Sequence, residues 1–348
     1  MDNTALVSVL VLNYNGRRFL DDCFNSLVEA TYPNMEIIMI DNKSTDDSVD
    51  YVTKKFPSVI IFQNGVNGGF SLAYNNAFKI AKGKYLGILN NDVKVDKGWL
   101  EPMVEFAEKN PSVGAIQPKL LSMLEPNKFE YAGASGGYLD KYGFAFARGR
   151  VFDHVETDHG QYDEPVRVFW TTGAAMFVRT EALKYSGVLD VEFVHHFEEI
   201  DLCYRLNLAG YELWAIPQSV VLHFGGGIIT YDSYKKLYWN HRNSVFMMLK
   251  SLEMKNLQLF WIQRTLLDGM AWLQALASFN FKRVAAIPHA YFWLLTHPGM
   301  ILRKRKEVKR LRKISDKEIF KLLFPKSAAL QYFLKGKKTY HELVNNDK

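Results

Sequence analysis

Cysteine is nearly absent from this chain: Cys23 and Cys203 are the only two in 348 residues. They are too few for a disulfide framework and sit at no metal-site spacing, which points to a reducing compartment. Also missing is an uncharged apolar run of 18 residues. Even the Leu-, Phe- and Trp-rich stretch 234–300 is interrupted by Gln263, Arg264, Asp268, Lys282, Arg283 and Pro288, so a membrane span is not expected. No P-loop and no complete Gly-x-Gly-x-x-Gly occurs, which lowers the NTPase and dehydrogenase readings. The start, Met1-Asp2-Asn3-Thr4, carries an acid where a signal peptide needs Lys or Arg, so no export signal is expected.

What is present is a globular composition, 48% hydrophobic and 23% charged, with a net charge of +6 that is unevenly spread. Residues 1–234 hold 20 Lys and Arg against 30 Asp and Glu, whereas residues 235–348 hold 23 against 7. An acidic body with a basic tail points to an anionic surface, a membrane or a nucleic acid.

The front of the chain alternates strand and helix signals. Leu6–Leu12 is apolar and β-branched, as in a strand buried on both faces; Phe19–Leu27 has helical spacing; Glu36–Ile40 reads as a second strand ending at Asp41. A helix over Ser48–Lys55, a strand at Val59–Phe62, a helix over Ser71–Ala81 and a strand at Tyr85–Leu89 continue the pattern. It predicts an α/β fold with a doubly wound, mostly parallel sheet that binds ligands at the carboxyl ends of its strands. Beyond about residue 115 come a glycine-rich and aromatic stretch, an apolar segment Ala174–Val178, a helix over Ile200–Leu208, a strand at Glu212–Ile216, and Val220–Phe224 before a break at Gly225-Gly226-Gly227.

The polar clusters just after strands are the candidate chemistry. Asn90-Asn91-Asp92 is a common turn composition, yet a carboxylate there can hold Mg²⁺ or Mn²⁺ while substrate phosphates complete the shell. His223, at another strand end, can add a nitrogen ligand, which favours Mn²⁺. Asp41 and Asp46 bracket a polar loop where a carboxylate can accept hydrogen bonds from a base or ribose, and Asn67-Gly68-Gly69 opens a helix where bare amides can approach a phosphate. Glu198, Glu199 and Asp201 exceed what helix capping requires, and one of them can act as a general base whose proton affinity is raised by its neighbours.

In this order the clusters resemble family 2 inverting glycosyltransferases of the GT-A fold, in the bacterial rhamnosyltransferase-like branch. The matching pieces are Val9–Gly16 (Val-Leu-Val-Leu-Asn-Tyr-Asn-Gly), Ile40-Asp41-Asn42-x-Ser44-Thr45-Asp46, Asn67-Gly68-Gly69-Phe70, Leu89-Asn90-Asn91-Asp92, Thr172-Gly173-Ala174, Glu198-Glu199-x-Asp201-Leu202-Cys203-x-Arg205 and Val221-x-His223. They span residues 6–224. The resemblance implies a nucleotide-sugar site lined by Asn13, Asn15, Asp41, Ser44, Asp46, Asn67, Gly68, Gly69, Asn90 and Asn91, with Asp41 on the base. It implies a divalent metal, Mn²⁺ or Mg²⁺, at Asp92 and His223; Asn90 stands where many relatives carry a first aspartate. Glu199 is the implied base, with Glu198 as its rival, in a single inverting displacement. Trp170, Thr171, Thr172 and Asp201 are the candidates for acceptor contact.

The expected division is a catalytic domain over 1–234, with a nucleotide-sugar half at 1–115 and an acceptor half at 116–234, followed by a helical basic extension over 235–348. Leu257, Leu259, Phe260, Trp261, Trp272, Phe292 and Trp293, with the basic run Arg303–Lys313, describe helices lying at an anionic membrane surface, on the cytoplasmic face. The implied donor is dTDP-rhamnose, with a UDP-sugar as alternative. The implied acceptor is a glycan, carried on a polyprenyl diphosphate, in cell-surface polysaccharide synthesis. Nucleic acid is not an expected partner, and a homodimer is the other use for the tail helices. Two competing readings are a sugar nucleotidyltransferase, which needs a lysine-bearing glycine-rich loop where Asn13-Tyr14-Asn15-Gly16-Arg17 stands, and a membrane-associated module that only binds nucleotide.

Overall fold

The structure, a computed structural model, describes residues 4–225 and 233–345, so Gly226 and Gly227 of the expected break lie outside the described residues. Its first half is β1 (Val7–Asn13), α1 (Leu20–Val28), β2 (Met35–Asp41), α2 (Ser48–Lys55), β3 (Ile60–Gln63), α3 (Gly69–Ala77) and β4 (Tyr85–Asn90). The four strands are parallel in the order β4-β1-β2-β3. Val7, Val9, Leu10 and Val11 are fully buried, as the unbroken apolar run required of a strand covered on both faces. Register pairs Asn13 with Asp41 and Leu12 with Asn90, which puts three predicted site residues at one sheet edge.

The second half comprises β5 (Val93–Val95), α4 (Glu101–Lys109), β6 (Val113–Ser122), β7 (Gly137–Leu139), β8 (Ala145–Ala147), β9 (Arg150–Val151), β10 (His154–Val155), β11 (Val166–Val168), β12 (Ala175–Arg179), α5 (Thr180–Ser186), α6 (Glu198–Leu208) and β13 (Glu212–His223). β12 lies antiparallel between β4 and β6, β13 runs parallel to β6, and β11 and β5 pair antiparallel with β13, giving one nine-stranded mixed sheet. The reversal of β12 brings the chain just before it back to the end of β4, where Asn90 N–H donates to Ala174 O at 3.1 Å. The two strands expected at 212–216 and 220–224 are one strand whose register slips between Ile216 and Val220, around Pro217. The glycine-rich stretch forms a small antiparallel sheet, β7 to β10.

Seven further helices follow: α7 (Tyr234–Ser251), α8 (Met254–Ala277), α9 (Phe281–Thr296), α10 (Pro298–Leu311), α11 (Asp316–Leu322), α12 (Ala328–Phe333) and α13 (Tyr340–Asn345). They share a core with the sheet: Val245, Phe246, Phe260, Leu294, Val308 and Ile319 cluster with Leu10, Ile38, Ile200 and Leu202. Part of the basic tail therefore serves the fold. Lys304 pairs with Asp190 at 2.9 Å, Arg305 donates to the carbonyls of Leu249 and Leu252, and Arg312 pairs with Asp316 at 3.0 Å. This corrects the expectation that all of Arg303–Lys313 faces headgroups, and Phe260, expected at the membrane, is buried.

Candidate active site

The loops after β1 and β2 are tied into one floor. Asn13 Nδ2 donates to Ser44 Oγ at 3.1 Å, Asn15 N–H donates to the same oxygen at 3.0 Å, and Asn15 Oδ1 accepts from Thr45 N–H at 2.7 Å. Asp41, buried at the end of β2, accepts from Ser44 N–H with both oxygens, at 3.2 and 3.3 Å. Asp46 accepts from Arg17 N–H at 3.2 Å. Asn42, which stands in the matching motif but was given no role from sequence, ties in the third loop: it donates to Asn67 Oδ1 at 2.9 Å and accepts from Gly68 N–H at 3.1 Å. Asn91 Nδ2 donates to Asn13 Oδ1 at 2.7 Å, and a Cβ on Gly16 would lie 1.9 Å from that nitrogen, so only glycine fits beside the bond. Gly69 opens α3 at φ +68, again a glycine conformation.

At the end of β4, Asp92 Oδ1 lies 3.1 Å from His223 Nε2, and Asn90 Nδ2 lies 3.3 Å from the same nitrogen. The other ring nitrogen, Nδ1, is 3.1 Å from Glu130 Oε2. Burial alone would push the imidazole pKa down; the hydrogen bonds and charges of Asp92 and Glu130 outweigh it and raise it to about 10. Glu130 is the residue of this corner that sequence reasoning missed, because it precedes a glycine-rich loop with no motif around it. Among the described residues no group of three His, Cys, Asp or Glu side chains is arranged to hold a metal unaided. A pKa of about 10 keeps a proton on each ring nitrogen at neutral pH, so a divalent ion would fit between Asp92 and His223 only by displacing the Nε2 proton, its remaining ligands coming from a diphosphate.

The third element is the start of α6. His196 and Phe197 both have positive φ, +64 and +70, a costly conformation of about 1–3 kcal/mol each for such residues. Asn243 on α7 holds it, donating to the carbonyls of His195 and His196 at 2.7 Å. The twist delivers Glu198 and Glu199 at the helix N-terminus, each with an Oε2 that no protein group hydrogen-bonds. Burial raises Glu199 to about 7 against the lowering pull of the helix-start amides and Arg150; burial and then the charge of Glu199 push Glu198 well above the usual carboxylate range. Glu199 is half-buried, while Glu198 is buried. A Cβ on Gly173 would sit 3.5 Å from Glu199 Cβ, and the next residue, Ala174, bonds Asn90, so the base candidate and the metal corner share one strand entrance.

The four acceptor candidates do not line this cleft. Asp201 is fully buried and paired with Lys250 at 2.8 Å and Arg205 at 2.9 Å. Trp170 is buried, donating Nε1–H to Tyr138 O at 2.8 Å over Gly137; Thr171 packs on Cys203, and Thr172 is locked by Gln117. All four are buried, and polar and aromatic residues near an active site look alike in sequence whether they face the ligand or hold the wall behind it.

The family model for glycosyl transferase family 2 matches residues 8–161. Among curated relatives, an uncharacterized glycosyltransferase of Haemophilus influenzae is 32% identical over 36% of this chain and 40% of its own length. A poly(ribitol-phosphate) beta-glucosyltransferase of Bacillus spizizenii is 35% identical over 35% of this chain and 24% of its own. The N-acetylglucosaminyl-diphospho-decaprenol L-rhamnosyltransferase of Mycobacterium tuberculosis is 24% identical over 69% of this chain and 83% of its own. This chain thus spans less than half of the first two. Among solved structures, GalNAc-T7 with UDP, GalNAc and Mn²⁺ superposes with a TM-score of 0.56 at 19% identity, over 73% of this chain and 49% of that one. The mannosyltransferase PcManGT of Pyrobaculum calidifontis, in complex with GDP-Man and Mn²⁺, superposes with a TM-score of 0.50 at 14% identity, over 96% of this chain and 88% of that one. The motifs, the curled mixed sheet with its antiparallel β12, and these matches identify a family 2 glycosyltransferase domain over residues 8–161, within a chain of GT-A-like fold.

Proposed function

We propose that the protein is an inverting glycosyltransferase that moves a sugar, rhamnose in the favoured reading, from a nucleoside-diphosphate sugar to a hydroxyl of a lipid-linked glycan. The observation that carries this is Glu199: a half-buried carboxylate with an unbonded oxygen and a raised pKa, one strand entrance away from Asp92 and His223. Glu199 takes the proton of the acceptor hydroxyl as the hydroxyl oxygen attacks the anomeric carbon from the face opposite the departing diphosphate, a general-base role that contributes about 10²–10⁴ in rate. The floor of Asn13, Asn15, Asp41, Ser44 and Asn67 holds the nucleotide. Asp92 and His223 would hold a divalent cation, whose charge neutralises that of the leaving diphosphate. The Mn²⁺ in two structural neighbours and the decaprenol-linked acceptor named for the Mycobacterium relative support this reading.

A lipid-linked acceptor places the enzyme on a bilayer, and α8 supports that. Leu259, Ile262, Leu266, Met270, Leu273 and Leu276 recur at three- and four-residue intervals and are all exposed. Arg264 and Asp268, which break the apolar run in sequence, turn inward and pair at 2.8 Å. No helix among the described residues is long and apolar enough to cross a membrane, so the contact is peripheral.

A panel of UDP-, dTDP- and GDP-sugars, with and without Mn²⁺, tests the function by thermal shift and donor hydrolysis. A ligand at 100 times its Kd stabilises by about 2.7 kcal/mol. Metal-dependent stabilisation by one nucleotide class with slow hydrolysis of its sugar is expected. Nucleotide binding without turnover of any donor, acceptor extract included, overturns the enzyme reading.

A further inference from the structure

Two consecutive residues in the left-handed region are rare away from glycine, and here they stand directly before the base. His196 at φ +64 and Phe197 at φ +70 turn the chain into α6, whose first two residues are Glu198 and Glu199. A fold that needed only a helix start there would take an extended N-cap with a Ser or Asp side chain, whereas Phe197 gives no side-chain cap. The group that holds the turn comes from the helical extension. Asn243 on α7 is fully buried, and its Nδ2 donates to the carbonyls of His195 and His196, both at 2.7 Å. Its amide can face only one way, because Oδ1 accepts from Arg242 Nε at 2.6 Å and a guanidinium only donates.

The neighbours of Asn243 on α7 grip the same segment. Arg242 Nη2 donates to Glu192 O at 2.6 Å, with its guanidinium 4.5 Å from the centre of the Trp293 ring on α9. Lys250 joins Asp190 at 2.6 Å to Asp201 at 2.8 Å, so one helix holds the chain on both sides of Glu199. Backbone strain persists only where its surroundings over-determine it, and it gathers at functional sites. We propose that Asn243 is a positioning residue for the reaction: by holding the strained turn it sets where the Glu199 carboxylate stands against the acceptor hydroxyl, so that the helical extension completes the catalytic apparatus. This rests on the glycosyltransferase reading, and one of its two tests needs no turnover.

The full chain is compared with Asn243→Ala, and with Asn243→Ser, whose hydroxyl can still donate to one carbonyl. The first readout is the infrared carboxyl band of Glu199, identified by its loss in Glu199→Gln and titrated with pH. Glu198 and Cys203 on α6 and Arg150 on β9 bear on this carboxylate, and burial is the largest cause of its midpoint of about 7. A loosened turn admits water, so the midpoint should fall toward the ordinary carboxylate value in Asn243→Ala and fall less in Asn243→Ser. The second readout is turnover of the donor that the nucleotide-sugar panel identifies. Asn243→Ala should lower kcat about 10²-fold with donor KM unchanged, the scale of a small misplacement of a reacting group. The loss should be about tenfold smaller when His196→Gly, which adopts the left-handed turn without strain, is already in place. Melting temperatures and nucleoside-diphosphate affinity show that each variant is folded. An unmoved midpoint in Asn243→Ala, or a lowered melting temperature with midpoint and kcat both retained, makes Asn243 an ordinary core residue and overturns the proposal. Failure of the glycosyltransferase reading looks different: the wild type turns over no donor, whatever the titration of Glu199 shows.

Discussion

His223 Nδ1 lies 3.1 Å from Glu130 Oε2, which leaves Nε2 turned to Asp92 at 3.1 Å. A carboxylate behind an imidazole fixes the ring and keeps the proton on Nδ1 when a cation displaces the one on Nε2, and removing such a partner typically costs 10–100-fold in metal affinity. Glu130→Ala should raise the Mn²⁺ concentration that half-supports nucleotide-dependent stabilisation by that factor, with Glu130→Gln intermediate because its amide oxygen still accepts. Ala132 N–H also donates to Glu130, so the melting temperature without ligand is measured beside it. An unchanged Mn²⁺ midpoint in both variants removes Glu130 from the site.

Asp92→Asn should abolish transfer and the metal-dependent part of nucleotide stabilisation while the protein remains folded. Among the described residues the one ion-pair contact of Asp92 is with His223, whose other ring nitrogen keeps Glu130. Activity at the wild-type level, or activity indifferent to a chelator, would sink the metal assignment.

Glu199→Gln should lose about 10²–10⁴ in kcat with donor affinity retained, since the base disappears and the volume does not. Because burial raises Glu199 to about 7, wild-type kcat should climb about tenfold per pH unit below that value and level off above it, and the variant should lack this limb. If Glu198→Gln instead carries the larger kcat loss and flattens the profile, the two roles are exchanged.

Glu198 has a second consequence, in stability. Its folded pKa lies above its unfolded value, so the folded state is at its best below about 4.5 and loses stability as pH rises toward the folded value. Glu198→Gln should therefore melt about 2–4 °C higher than wild type at pH 8 and equally near pH 4. A lower melting temperature at pH 8 would mean that the charged form is satisfied in the folded protein.

The front half of the fold was legible because parallel strands buried on both faces leave unbroken apolar runs; the helix at Ser48–Lys55 ends where its periodicity does. The direction of β12 was not, since Ala175–Arg179 carries no mark of which neighbour it will meet. Asp92 and His223 could be found because each follows a buried strand. Glu130 could not, since its role depends on a ring 93 positions away that only the slipped register of β13 brings back. Arg264 and Asp268 show the same limit inverted: as letters they end an apolar run, and as an inward i,i+4 pair they leave the outer face of α8 uncharged from Leu259 to Leu276.

That face yields the last prediction. α8 is about 36 Å long at 1.5 Å per residue, and its six exposed apolar residues are 44–66% exposed. Phe279, Phe281 and Phe292, all at least 65% exposed, extend the surface onto α9, and Arg303, Lys306, Lys309 and Arg310 are exposed on α10. Insertion of such side chains supplies about 1 kcal/mol each, and each cation near an anionic surface about the same. Leu266→Glu with Leu273→Glu should release the protein from vesicles of any charge. Reversal at Arg303 and Lys306 should weaken binding about fivefold per charge on anionic vesicles only, and high salt should mimic it. Lys304 and Arg305 are left intact, since they hold the fold. Co-sedimentation with neutral and anionic vesicles, beside sedimentation velocity without lipid, reads the outcome. If wild type ignores both vesicles and the double glutamate variant turns a dimer into a monomer, α8 is an interface between copies and the membrane reading falls.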